Sequence, residues 1–262
     1  MTLSKNVKPR ARRSPPLTAA RRFSMLRSRR ILLLSVILFF SAETALGILF
    51  QTGYGNGAHL RYATVVLACL FCFLFVEKSW EYLTLQLALI ATVWADYYLV
   101  LPSSPNQLPG MIFFAAAQIS YALSLCFTED DPRRLVQWLW ARGILSAVAV
   151  AATLAVLGSK ADAVAVISVF YYANLVLNIA MAWSQLPRRA VMAVGLTLFL
   201  CCDTVIGLAF LDGYLPVSET SLIYRLIHPG FDLAWAFYLP SQMLLAISLL
   251  PARWKAATQK HA

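Results

Sequence analysis

Charge is what this sequence has least of. Of its 262 residues, 13% are Asp, Glu, Lys or Arg, against 60% that are hydrophobic. A soluble domain carries about 25% charged and roughly 45–50% apolar residues. The shortage excludes a water-soluble globular protein and points to an integral membrane protein. Acidic residues are the scarcer sign, 12 against 22 basic ones, giving a formal charge of +10. That excess looks like a nucleic-acid signature, but its placement argues otherwise. Ten of the 22 Lys and Arg lie in the first 30 residues, directly before a hydrophobic run. Such a tail is held on the cytoplasmic side of a membrane and is drawn to anionic headgroups. The expected partner is therefore membrane, with no nucleic acid.

Cysteine is also sparse. Cys69, Cys72, Cys126, Cys201 and Cys202 all sit within apolar runs. Cys69 and Cys72 form a C-x-x-C that lacks the further Cys or His spacing of a metal site, so they read as small packing residues. No disulfide framework, metal or cofactor is expected. No cleaved leader is expected either. The first apolar run, 31–50, is long enough to span a bilayer, whereas a signal-peptide core has about 7–15 residues. There is no internal repeat, no separate soluble domain and no signal of oligomeric state.

What the sequence does have is apolar runs of span length, at about 20 residues each. The predicted class is an all-α integral membrane protein with about eight transmembrane helices: 31–50, 60–76, 82–101, 110–127, 135–157, 161–183, 190–211 and 231–250. Residues 1–30 read as a disordered basic cytoplasmic tail, 31–250 as the membrane domain, and 251–262 as a short basic cytoplasmic tail. The connection 212–230 is the longest and reads as lying at the membrane surface. With the N-terminus inside, 18 of the 22 Lys and Arg fall in inner segments and three in outer ones. That asymmetry places both termini in the cytoplasm of a cell whose inner membrane holds the protein.

Carboxyl groups interrupt this pattern. Asp96 lies well inside the third predicted helix and Asp203 inside the seventh. An ionised Asp at the centre of a membrane helix costs about 2.5–3.5 kcal/mol, so such residues face a bundle interior or a wet cavity. At 1.5 Å per residue, Glu43, Asp96 and Asp203 lie roughly 18, 21 and 20 Å along a core of about 30 Å. Asp232 begins the eighth helix at the outer side. Two carboxyl groups in one low-dielectric cavity do not both stay ionised, which supplies an acid and a base from one residue type. Asp96 and Asp203 are the candidate catalytic pair. Tyr171, Asn174 and Asn178 form a polar stripe on the sixth helix. Gln118 and Tyr121 form one on the fourth, and Asp232, Tyr238 and Gln242 one on the eighth. These residues and Glu43 either line a substrate pocket or join helices by hydrogen bonds. Arg142, nearer the inner side, reads as snorkelling to the interface.

The motif order resembles that of the YhhN-like lysoplasmalogenase family, whose members have about eight membrane helices. Ala95-Asp96 followed by Leu101-Pro102 stands for the family's Gly-Asp and Pro-containing turn. Gln118-Ile119-Ser120-Tyr121 stands for its His-x-x-Tyr. Cys202-Asp203 stands for its Ser-Asp, and Tyr238-Leu239-Pro240-Ser241-Gln242 for its Tyr-x-x-x-Gln element. Two positions depart: Ala95 replaces the Gly, and Gln118 replaces the His and cannot shuttle protons. The resemblance implies hydrolysis of the vinyl ether bond of a lysoplasmalogen, a lysolipid substrate, to a fatty aldehyde and a glycerophospho-base. The departure at Gln118 keeps a second reading open, a non-catalytic lipid-binding or transport protein with the same fold.

Overall fold

The structure, a computed structural model, describes residues 19–74, 79–211, 218, 220–228, 230–248 and 250. Among them every regular element is helical. The α-helices are α1 (Ala19–Gln51), α2 (Gly57–Phe73), α3 (Trp80–Val100), α4 (Gln107–Cys126), α5 (Pro132–Leu157), α6 (Ala163–Ser184), α7 (Ala190–Leu211), α8 (Leu222–Ile227) and α9 (Leu233–Ile247). A 3-10 turn, Gly158–Lys160, follows α5. The polar residues between the apolar runs start the helices. Asn56, Ser79, Asp131, Asp162 and Asp232 each accept a backbone N–H of the helix that follows, and Pro132 opens α5. Such caps satisfy amides that the helix itself leaves unbonded.

Among the described residues six helices are long and apolar enough to cross a membrane, which makes this a multi-pass membrane protein. The remaining apolar helices, α2 and α9, have 17 and 15 residues. Helix α1 starts earlier than expected, at Ala19, so the part of the expected disordered tail from Ala19 onward is helical. Pro16 is the last proline before it and Gly47 its first glycine, and the intervening Arg, Leu, Met and Ala are good helix formers. The expected tails at 1–18 and 251–262 lie outside the described residues. The short α8 occupies the connection that reads as interfacial.

By its internal contacts the chain divides into Met1–Leu38 and Phe39–Ala262, with α1 continuous across the division. In the first unit Ile31, Leu33, Leu34, Ile37 and Leu38 are exposed, as lipid-facing side chains are. In the second, α6 packs against α4, α5 and α7, α3 packs most extensively on α4, and α7 on α9. Helix α2 lies beside α3 and α9, while α5 packs principally on α6. Large apolar side chains such as Leu70, Trp94, Ile144 and Val156 face outward. Glu43, Asp96, Gln118, Asn174, Asn178, Asp203 and Gln242 are buried. That inversion is what a lipid solvent selects.

The ends of α3 and α4 meet the start of α7 around Arg189, whose side chain is 1% exposed. Its guanidinium pairs with Glu81 at 2.6 Å and donates to the Ser124 carbonyl and the Thr128 hydroxyl. Burial pulls this guanidinium down to about 10, with the Glu81 charge acting in the opposite direction. Ser124 in turn donates to the Glu81 carbonyl at 3.1 Å. Arg189 thus closes one end of the bundle.

Candidate functional site

Two Tyr–Asp pairs lie inside the bundle. The Tyr238 hydroxyl of α9 donates to Asp96 Oδ2 of α3 at 2.6 Å, and both residues are buried. Tyr171 of α6 and Asp203 of α7 are buried and border the same cavity. The Asp203 Oδ2 atom is buried without a hydrogen-bond partner. Asp203 is within electrostatic reach of Asp96, and both act on Tyr238. The levels agree with the helix lengths. Asp96 and Tyr238 lie about 6–8 Å from one end of α3 and α9, and Asp203 and Tyr171 about 12 Å from the matching ends of α7 and α6.

Asp203 and Tyr171 border a cavity of about 700 Å³, within the range of about 300–1,000 Å³ typical of small-molecule pockets. Its walls are the C-terminal halves of α5 and α7, the N-terminal half of α6 and the start of α4. The lining is mostly aliphatic, with Leu145, Ala149 and Val156 on one side and Ile206 and Phe210 on another. Tyr172 and Thr204, which also line it, are bonded to each other at 2.8 Å. The space is mostly apolar, with one carboxyl group at its border. Neither Asp96 nor Tyr238, to which it is bonded, is among the residues lining this cavity. The two carboxyl groups therefore do not face each other across a single open space.

Other residues expected at the site take different places. Arg142 does not snorkel: its Nη1 and Nη2 donate to Asn174 Oδ1 at 2.8 Å and Asn178 Oδ1 at 2.9 Å. Asn178 Nδ2 then donates to the Gln118 carbonyl and to Gln118 Oε1 at 3.0 Å. Asn174 donates to Ser146 Oγ and to the Phe170 carbonyl. These side chains join α5, α6 and α4 instead of lining the cavity. Asp232 is committed elsewhere too. It pairs with Arg61, caps α9 through the Trp235 N–H, and exchanges two backbone hydrogen bonds with the Gln51 side chain. The Arg61 guanidinium also lies over the rings of Phe50 and Trp235. Sequence reasoning missed Arg61 as the partner, since 171 positions separate it from Asp232.

Glu43, Tyr121, Gln118 and Gln242 are buried and retain polar atoms with no hydrogen-bond partner among the described residues. Among those residues no group of three or more His, Cys, Asp or Glu is placed to hold a metal ion. The five cysteines are free thiols.

Comparison with known proteins gives one family. A model described as the YhhN family matches residues 58–249, which include Asp96, Asp203, Tyr238 and the cavity walls. No curated protein and no solved structure matches the chain.

Proposed function

Because the chain belongs to the YhhN family, we propose that it is an intramembrane hydrolase cleaving the vinyl ether bond of lysoplasmalogens by Asp acid–base chemistry. The observation that carries this reading is Asp203. It is a buried carboxyl group with a free oxygen, placed beside Tyr171 at the border of an apolar cavity large enough for a hydrocarbon chain. A vinyl ether is cleaved by protonating its β-carbon, which leaves an oxocarbenium-like cation next to the ether oxygen. In this reading Asp203 gives that proton. Asp96, within electrostatic reach and oriented by Tyr238, stabilises the cation and directs water to it. Water adds to the cation and its released proton returns to a carboxylate. The hemiacetal then collapses to a fatty aldehyde and the glycerol hydroxyl.

The cavity walls accept the lysolipid chain, and Tyr171 is the substrate-binding residue among them. All eight apolar helices span the cell (inner) membrane in this reading, α2 and α9 at a thin part of the domain. The basic segments 1–30 and 251–262 are cytoplasmic, so the cavity mouth lies toward the outer side. A second reading is supported by Gln118. It stands where family members have a proton-carrying His, and its side chain oxygen is occupied by Asn178. A non-catalytic lipid-binding or transport protein would need nothing more at that position.

Incubating the purified protein with a panel of lysoplasmalogens and measuring aldehyde release separates the two. The hydrolase reading expects release by the wild type, and its loss by about 10²-fold or more in Asp96→Asn and in Asp203→Asn. Lysolipid binding with no release from any substrate supports the second reading. A gain of rate in Gln118→His marks a slow hydrolase.

A further inference from the structure

Hydrolysis consumes water, and the cavity that borders Asp203 is lined mainly by hydrocarbon. Unpartnered polar atoms that could hold water lie elsewhere, on α1 and α9, on residues that do not line that cavity. Glu43 is 0% exposed and neither carboxyl oxygen has a hydrogen-bond partner among the described residues. Gln242, 2% exposed, leaves both Oε1 and Nε2 without partners, and Ser241, 0% exposed, leaves its hydroxyl without one. Burial of such groups with nothing bonded to them is expensive and rare.

Helix geometry puts these groups at one level. Helices α1 and α9 meet where Gly47 approaches Leu239 so closely that a Cβ on Gly47 would come within 2.5 Å of Leu239 Cδ2. Glu43 lies four residues before Gly47, on the same face of α1. On α9, Gln242 lies three residues after Leu239. Because α1 and α9 run in opposite directions, both steps lead toward the same end of the bundle, by about one turn. Gln242 is also four residues after Tyr238, on the face of α9 that carries the hydroxyl bonded to Asp96. The polar file therefore runs from Glu43 through Gln242 to Tyr238 and Asp96.

The donor set selects the occupant. A monovalent cation would satisfy the oxygens and leave the Gln242 amide N–H groups unbonded. Water both donates and accepts. It can take an N–H from Gln242 and give its protons to Glu43 and to Gln242 Oε1. We propose that Glu43 and Gln242 enclose an internal water site that supplies the Asp96 end of the reaction. The supply role rests on the hydrolase reading; the water site itself does not. Glu43 is in this assignment a positioning residue, touching neither the lipid nor the reacting carbon.

The experiment uses the full-length protein in lipid nanodiscs and has two arms. In the first, magnetisation transfer from water is followed in solid-state NMR spectra of the Glu43 carboxyl carbon and the Gln242 side-chain nitrogen. Transfer to both is expected, and Gln242→Leu should abolish that to Glu43; absence of transfer in the wild type overturns the water site. In the second arm, Glu43→Gln and Gln242→Leu are compared with wild type in aldehyde release. The expected result is a fall in kcat of about tenfold or more with KM unchanged, the mark of an interaction needed after substrate is bound. Unchanged kcat in folded variants, or a rise in KM alone, overturns the supply role. If the wild type releases no aldehyde, the hydrolase reading and the supply role fall together, and the NMR arm alone decides the water site.

Discussion

Tyr238 donates to Asp96 Oδ2 at 2.6 Å across the contact between α9 and α3. One hydroxyl thus fixes which way a buried carboxyl group points, and its neighbours Phe199 and Trp235 hold the ring itself, with centroids 5.4 and 5.0 Å away. Tyr238→Phe keeps that packing and removes the bond. A hydrogen bond to a charged group is worth about 1.5–3 kcal/mol, so aldehyde release should fall by roughly ten- to a hundredfold. Thermal unfolding should move much less than it does for a core truncation. An unchanged rate in steady-state assays would remove Tyr238 from the site.

A second prediction concerns the closed end of the bundle. Arg189→Met leaves Glu81, 23% exposed, without the partner now at 2.6 Å, and strips a donor from Ser124 and Thr128. Breaking a fully buried pair costs about 3–5 kcal/mol; partial exposure of Glu81 lowers the expectation to about 2–4 kcal/mol. The melting temperature in detergent should drop clearly, while activity at low temperature persists because Arg189 is remote from Asp96 and Asp203. Loss of activity with an unchanged melting temperature contradicts a purely structural role.

The cavity gives a third. Ala149 lines it from α5, and the bond it makes, accepting the Thr153 hydroxyl, is through its main-chain carbonyl, which a substitution leaves in place. Ala149→Trp should occupy the space a hydrocarbon chain needs. Release from long-chain lysoplasmalogens should decline far more than release from short-chain ones, chiefly through KM. A chain-length series in which all substrates decline equally would place the chain elsewhere.

Orientation is the fourth. With native cysteines replaced, a Cys at Ser104 should react with a membrane-impermeant maleimide added outside intact cells, and one at Ser79 should not. The reverse pattern would invert the proposed topology and place the cavity mouth in the cytoplasm.

The helical fold was legible because lipid-length apolar runs separated by Asn, Ser, Asp and Pro leave few alternatives. The positions of Asp96 and Asp203 as buried polar residues were legible for the same reason, since a carboxyl group in such a run must turn inward. Pairing was not. Arg61 and Asp232 are far apart in the chain, as are Arg142 and Asn178, and no local pattern carries that information. Arg189 illustrates the limit well. Counted by position it is one more inner-side charge, yet its side chain is almost wholly enclosed by α3 and α4. The separate standing of Asp96, bonded to Tyr238 and outside the cavity lining, also needed three dimensions, because matched depth does not specify which face of a helix meets which neighbour.

Helix α5 packs principally on α6, yet it supplies one whole wall of the cavity. The Tyr–Asp pairs stand on α3, α6, α7 and α9. In the proposed hydrolase, selectivity and chemistry are therefore carried by different parts of the molecule. Substitutions along one face of α5 can widen, shorten or reshape the chain compartment without shifting a carboxyl group. If the proposed activity holds, a lineage that inherits this arrangement can change its diet of lipids one side chain at a time while its reaction stays the same.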